Sequence, residues 1–159
     1  MSNILTIKGT KFIREYGEGV VEKDHIAFLS IKPYDAFNFD ILDHDSRLFA
    51  SCRPSAKFRC FLIHNDLFLG DFYFRNEEKE IIRIHFEGLL GRKRLLIHKE
   101  NEFTFPRNYK DVKLHDSIFS FQRRWNGSLA ATTSNETYLD ELICVSSYLW
   151  YRWDRIHSF

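Results

Sequence analysis

Residues 137–156, Thr-Tyr-Leu-Asp-Glu-Leu-Ile-Cys-Val-Ser-Ser-Tyr-Leu-Trp-Tyr-Arg-Trp-Asp-Arg-Ile, restrict the fold more than any other stretch of this 159-residue chain. They carry the one long helical pattern in the sequence. From Leu142 to Trp153 apolar or aromatic residues fall on nearly every side. A helix without a polar face has to be surrounded, by protein or by lipid. The apolar run covers about twelve residues and includes Ser146 and Ser147, whereas spanning a bilayer takes about twenty. A buried helix is therefore expected, not a transmembrane one. Thr137 with Asp140 predicts a capping box, with Ser134 and Asn135 as alternative caps. Asp140 and Glu141 suit the positive end of the helix, and Arg152, Arg155 and His157 the negative end.

Everything before this helix reads as short strands. Apolar or alternating runs lie near Ile4–Ile7, Lys11–Arg14, Ile26–Ile31, Phe37–Leu42, Arg47–Cys52, Phe58–His64, Leu67–Arg75, Glu80–Glu87, Lys93–His98, Glu102–Phe105, Ser117–Arg124 and Ser128–Thr133. Polar turns separate them, among them Gly17-Glu-Gly19, Asp43-His-Asp-Ser46, Arg75-Asn-Glu-Glu78 and Trp125-Asn-Gly127. Asn-Gly between two apolar runs is the strongest short hairpin signal. In Ile81–Phe86 the pattern is explicit: Ile82, Ile84 and Phe86 share one face, Arg83 and His85 the other. The expected fold class is mainly β. A closed antiparallel β-barrel of about 10–12 strands is expected to wrap the hydrophobic C-terminal helix, about residues 137–156.

No linker or fixed-period repeat divides the chain, so residues 1–159 are expected to form a single domain. Its 44% hydrophobic content is enough to build a core and argues against disorder. Cys52, Cys60 and Cys144 show no CxxC spacing, and Met1–Lys8 lacks a basic region followed by an apolar one. Both features point to a reducing cytoplasm.

Several local patterns have the order of a known family. Phe37-Asn-Phe-Asp-Ile-Leu-Asp43, followed by Arg47-Leu-Phe49, is a strand, an acidic turn and a strand. Phe58-Arg-Cys-Phe-Leu-Ile-His-Asn-Asp66, followed by Leu67–Phe72, is a second copy. With the terminal helix, this order resembles the tubby C-terminal-like superfamily, which includes phospholipid scramblases and the LURP-one-related proteins. The resemblance implies a closed barrel around a central helix, and a phosphoinositide- or membrane-associated role. The family usually has Gly in such turns, where Ser46 and Asp66 stand here. The Pro-rich N-terminal region, cysteine cluster and acidic calcium-binding segment of scramblases are not present, which argues against scramblase activity.

Charge gives the best functional candidate. Net charge is +1, yet residues 92–133 hold nine Lys or Arg against four acids, a local +5. Within that stretch Arg92, Lys93, Arg94, Lys99, Arg123 and Arg124 are the candidate lipid- or phosphate-binding residues. The competing reading is an ordinary solvated face, since neighbours in sequence need not be neighbours in space. Gly88-Leu-Leu-Gly91 has the spacing of a nucleic-acid-binding GXXG loop, but that loop needs helices on both sides and here strands flank it. Phe119, Phe121 and Trp125 could stack bases, though barrel core is the commoner use of such residues. The seven histidines form no metal-ligand spacing, although His64, His85 and His98 could meet in space. Asp40, Asp43 and Asp45 are candidate paired carboxylates or simply turn formers. Cys52 and Cys60 could oppose each other across a hairpin.

No nucleophile, phosphate-loop or dinucleotide motif is present. The sequence therefore points to a non-enzymatic module with no cofactor and no metal. Its expected partner is anionic membrane lipid or another protein, with no specific nucleic acid, at a cytoplasmic location that includes the membrane periphery. A lipocalin-like small-molecule barrel and a protein–protein interaction module are the alternatives. The first needs an amphipathic helix outside an empty barrel, which the helix here does not match.

Overall fold

The computed structural model describes residues 3–9, 18–34, 38–54, 59–62, 67–89, 92–98, 102–105, 111–114, 117–124 and 127–153. Within them lie thirteen strands: β1 (Asn3–Gly9), β2 (Gly19–Lys23), β3 (Ile26–Pro33), β4 (Phe39–Asp43), β5 (Leu48–Pro54), β6 (Arg59–Leu62), β7 (Leu67–Arg75), β8 (Glu80–Leu89), β9 (Arg92–His98), β10 (Glu102–Phe105), β11 (Asp111–Leu114), β12 (Ser117–Arg123) and β13 (Leu129–Thr133). They form one sheet in the order β10-β9-β8-β7-β5-β4-β3-β2-β1-β13-β12-β11, with β6 branching off β7. All its pairings are antiparallel. The ladder between β1 and β13 joins the first strand to the last.

The C-terminal segment is helical from Glu136 to Trp153. A 3-10 turn (Glu136–Tyr138) leads into α1 (Leu139–Tyr148), and a π turn (Leu149–Trp153) ends it. The start agrees with the pattern to within a residue, while 154–156 lie outside the described residues. The cap is Asn135, not Thr137: its side-chain oxygen accepts the Thr137 N–H at 3.0 Å. Every residue from Glu141 to Leu149 is buried, and so is Tyr151. Among the described residues no helix is long and apolar enough to cross a membrane.

The sheet curves around this helix. α1 lies against the adjacent strands β1 and β13 and also against β8, which is distant from them in the sheet order. Tyr148 packs on Phe72 of β7, ring centroids 5.1 Å apart, and Tyr151 on Phe39 of β4 at 4.8 Å. Alternation supplies the lining: Leu29 and Ile31 of β3, Phe39 and Ile41 of β4, and Ile82 and Ile84 of β8 are all buried. The sheet ends β10 and β11 have Cα atoms within 8 Å of each other. No hydrogen-bonded ladder joins them among the described residues, so the expected closure is not part of the observed topology.

Two strands escape the hydrophobic pattern. Of the expected turn Gly17-Glu-Gly19, Gly17 lies outside the described residues and Gly19 opens β2, opposite Gly9 and Ile31. A turn follows β2 at Asp24 and His25, whose φ values of 51° and 68° lie where such turns favour Asn or Gly. β11 is four residues long and carries no clear apolar run. The expected strand at Lys11–Arg14 lies outside the described residues. The Asn-Gly expectation holds: Gly127 has φ 86°, and the Arg124 N–H reaches the Ser128 carbonyl at 2.9 Å.

Gly19 has a packing duty. A Cβ there would stand 2.7 Å from two ring atoms of Trp150. The glycine thus makes room for the Trp150 indole in the last helical turn. Gly19→Ala is expected to lower stability by about 1–3 kcal/mol, read as a lower denaturation midpoint in guanidinium chloride.

Candidate functional site

Because the inner face is filled by the helix, polar side chains collect on the outer one. Across β3, β4, β5, β7 and β8 they form a transverse belt. Lys32 lies opposite Asp40, Arg53 opposite Tyr73, Tyr73 opposite Arg83, and Arg83 opposite His98 of β9. Arg53 reaches diagonally to join the first pair to the rest, its Nη2 donating to Asp40 Oδ1 at 2.8 Å.

One half of the belt is a closed clasp. Asp40 is 9% exposed and both its oxygens are engaged. Oδ1 takes Arg53, and Oδ2 accepts the Tyr34 hydroxyl at 2.6 Å. Arg53 Nη1 also donates to the carbonyls of Phe39 and Cys52, at 3.0 and 2.9 Å. Its guanidinium lies 5.2 Å from the Tyr34 ring centroid. Arg53 is thereby committed to holding β4 and β5 together. The hydrogen bond to Asp40, with that carboxylate's negative charge second, holds the Tyr34 phenol above its ordinary pKa.

The other half is more loosely bonded. The guanidinium carbons of Arg75 and Arg83 each lie 4.5 Å from the Tyr73 ring centroid, within cation–π range. Their side chains are 58% and 40% exposed. One carboxylate oxygen, Glu80 Oε1, lies 3.8 Å from Arg75 Nη2 and 3.4 Å from Arg83 Nη2. Glu80 reaches them through a bulge. Phe74 pairs with Ile82 but Arg75 with Glu80, leaving Ile81 as the extra residue. Ile81 and Ile82 are both buried, and Glu80 shifts to the face of Arg75 and Arg83. Two adjacent guanidiniums on an aromatic ring form a donor set for phosphate or carboxylate.

The residues singled out by charge are placed differently. Arg92, Lys93 and Arg94 open β9, opposite Leu89, Gly88 and Glu87. Consecutive strand positions alternate between faces, so position 93 is separated from 92 and 94. Positions 92 and 94 share the face of 98, which lies opposite Arg83. Arg123 ends β12 opposite Leu129, and Arg124 follows it, exposed. β9 and β12 are near opposite ends of the strand order and are not neighbours in the sheet. Lys99 lies outside the described residues.

The remaining candidates have structural duties. Asp43 Oδ1 accepts the N–H groups of Asp45 and Arg47, each at 2.9 Å, so it builds the β4–β5 turn. Phe119 and Phe121 are buried core, not a stacking platform. Cys52 lies opposite Phe74 and Cys60 opposite Phe68, so the two cysteines do not face each other across a hairpin. Positions 85 and 98 share a face on β8 and β9, while His64 lies outside the described residues. Among the described residues no three His, Cys, Asp or Glu side chains are grouped to hold a metal. Sequence reasoning passed over Tyr34, Arg53, Tyr73, Arg75 and Glu80. The period-two spacing of Tyr73 and Arg75, outside the buried Phe72 and Phe74, was the available signal.

Comparison with protein-family models, with curated proteins and with solved structures finds no match.

The clasp has a pH signature. The neutral phenol donates to Asp40, whereas the phenolate would repel it. Its contribution is present below the ordinary phenol pKa of about 10 and is lost as pH rises through the raised folded value. Tyr34→Phe is expected to remove that alkaline loss, so stability-versus-pH curves of the two proteins converge at high pH.

Proposed function

We propose that this chain is a non-enzymatic module of tubby-like architecture that binds phosphate-bearing anionic lipid at the cytoplasmic membrane surface. The observation that carries the reading is the outer belt, where Arg75 and Arg83 flank Tyr73 with exposed guanidiniums. Positions 92 and 94 continue the same face toward the start of β9, so Arg92 and Arg94 join the proposed binding surface, whereas Lys93 holds a position on the other face and Arg123 and Arg124 lie at the end of β12, away from it in the strand order. The central helix and the order of the strands support the tubby-like assignment. Approach of β10 to β11 supports closure of the sheet into a barrel.

A helix buried on all sides favours this reading over a lipocalin-like carrier, whose ligand would need the space that Tyr148, Leu149 and Tyr151 occupy. A basic outer face also serves a protein partner. Headgroup binding is preferred because paired guanidiniums match phosphate oxygens bidentately.

Sedimentation with phosphatidylcholine vesicles containing phosphatidylinositol bisphosphate tests the proposal. Binding is expected at low salt and is expected to fall as salt rises. Arg75→Ala and Arg83→Ala should each weaken it about fivefold, the worth of one basic group near an anionic leaflet. Replacing Arg92, Lys93 and Arg94 together by Ala should weaken it further. No binding to these vesicles at low salt overturns the reading.

A further inference from the structure

We propose that Glu80 is a built-in counter-ligand of the Arg75/Arg83 pair, and that it makes this surface prefer phosphomonoester over phosphodiester headgroups. The inference rests on the belt being an anion-binding surface. In a regular strand, residues three apart point to opposite faces. The bulge at Ile81 cancels that separation and delivers Glu80 beside Arg83. A single oxygen, Glu80 Oε1, then serves both guanidiniums, at 3.8 and 3.4 Å. Those distances exceed the roughly 2.7–2.9 Å of a tight charged hydrogen bond. The carboxylate therefore occupies the place of an anion without gripping it.

The charges nearby explain why this matters. The β7–β8 turn adds Glu77, Glu78 and Lys79, all exposed, with the Glu78 and Lys79 N–H groups held by Asn76 Oδ1 at 2.8 Å. Arg75, Lys79 and Arg83 are thus matched by Glu77, Glu78 and Glu80. Long-range attraction here is weak, and an incoming group must win a local exchange against a carboxylate. A phosphodiester carries a single negative charge, so exchanging it for Glu80 gains little. A phosphomonoester carries nearly two charges and three terminal oxygens, enough to bridge both guanidiniums and displace the carboxylate.

Glu80→Gln keeps the shape and removes the charge. The test compares its binding to phosphatidylcholine vesicles doped with phosphatidic acid, a monoester, or with phosphatidylserine, a diester. Wild-type protein should prefer phosphatidic acid. In Glu80→Gln, phosphatidylserine binding should tighten about fivefold and phosphatidic acid binding less, so the preference narrows. Equal tightening toward both lipids, or the same tightening in an Arg75→Ala/Arg83→Ala background, overturns the counter-ligand role and leaves only a change in overall charge. If the arginine substitutions alone leave wild-type binding unchanged, the belt is not the binding surface. Arginine-dependent binding that Glu80→Gln does not alter rejects the role of Glu80 alone.

Discussion

Burial of α1 on all sides is the constraint from which the other features follow. From Glu141 to Leu149 the helix has no side facing water, and each large apolar side chain contributes about 1.5–3 kcal/mol when removed from solvent. That stabilisation is available only if strands surround the helix. The meander supplies them, and the β1–β13 ladder joins the first and last of the described strands. Details at the helix terminus follow from the same demand. Gly19 has no side chain because Trp150 needs the space, and Tyr151 meets Phe39 where the helix leaves the core. Ser146 satisfies its buried hydroxyl on the Leu142 carbonyl within the helix.

An occupied interior directs polar chemistry outward. Strand alternation then decides which side chains can act together. Arg53, Tyr73 and Arg83 are distant in sequence, yet register places them in one row. The row divides into a tightly bonded half and a loosely paired half. Asp40 fixes Arg53 and Tyr34, and a bulge sets Glu80 against Arg75 and Arg83. A rigid clasp beside a loosely paired arginine couple is an arrangement in which one part holds the sheet and the other stays available to a ligand.

The helix was legible because its signal is local and extreme: from Leu142 to Trp153 apolar or aromatic residues fall on nearly every side and leave one physical solution. Most strands were legible from alternation, as with Ile82 and Ile84 against Arg83. β2 was hidden by the glycine at its start, whose role depends on a tryptophan more than a hundred residues later. The Asp24-His25 turn was hidden because neither residue usually adopts positive φ. Ser46, where the resembled family has Gly, does so too, with φ of 60°. The belt was hidden for a different reason. A run of charge such as Arg92-Lys93-Arg94 is conspicuous in sequence but alternates between faces in a strand. Arg75, Arg83 and Glu80 converge only through cross-strand register and a one-residue bulge, neither of which composition records.

Native-state hydrogen exchange of the helix amides tests the central claim most directly. If the helix is the core that the sheet encloses, the amides from Leu142 to Tyr148 exchange only through global unfolding, with protection equal to the full stability of the protein. Exchange of these amides through a local opening, while the strands of β1, β8 and β13 stay protected, would contradict the account.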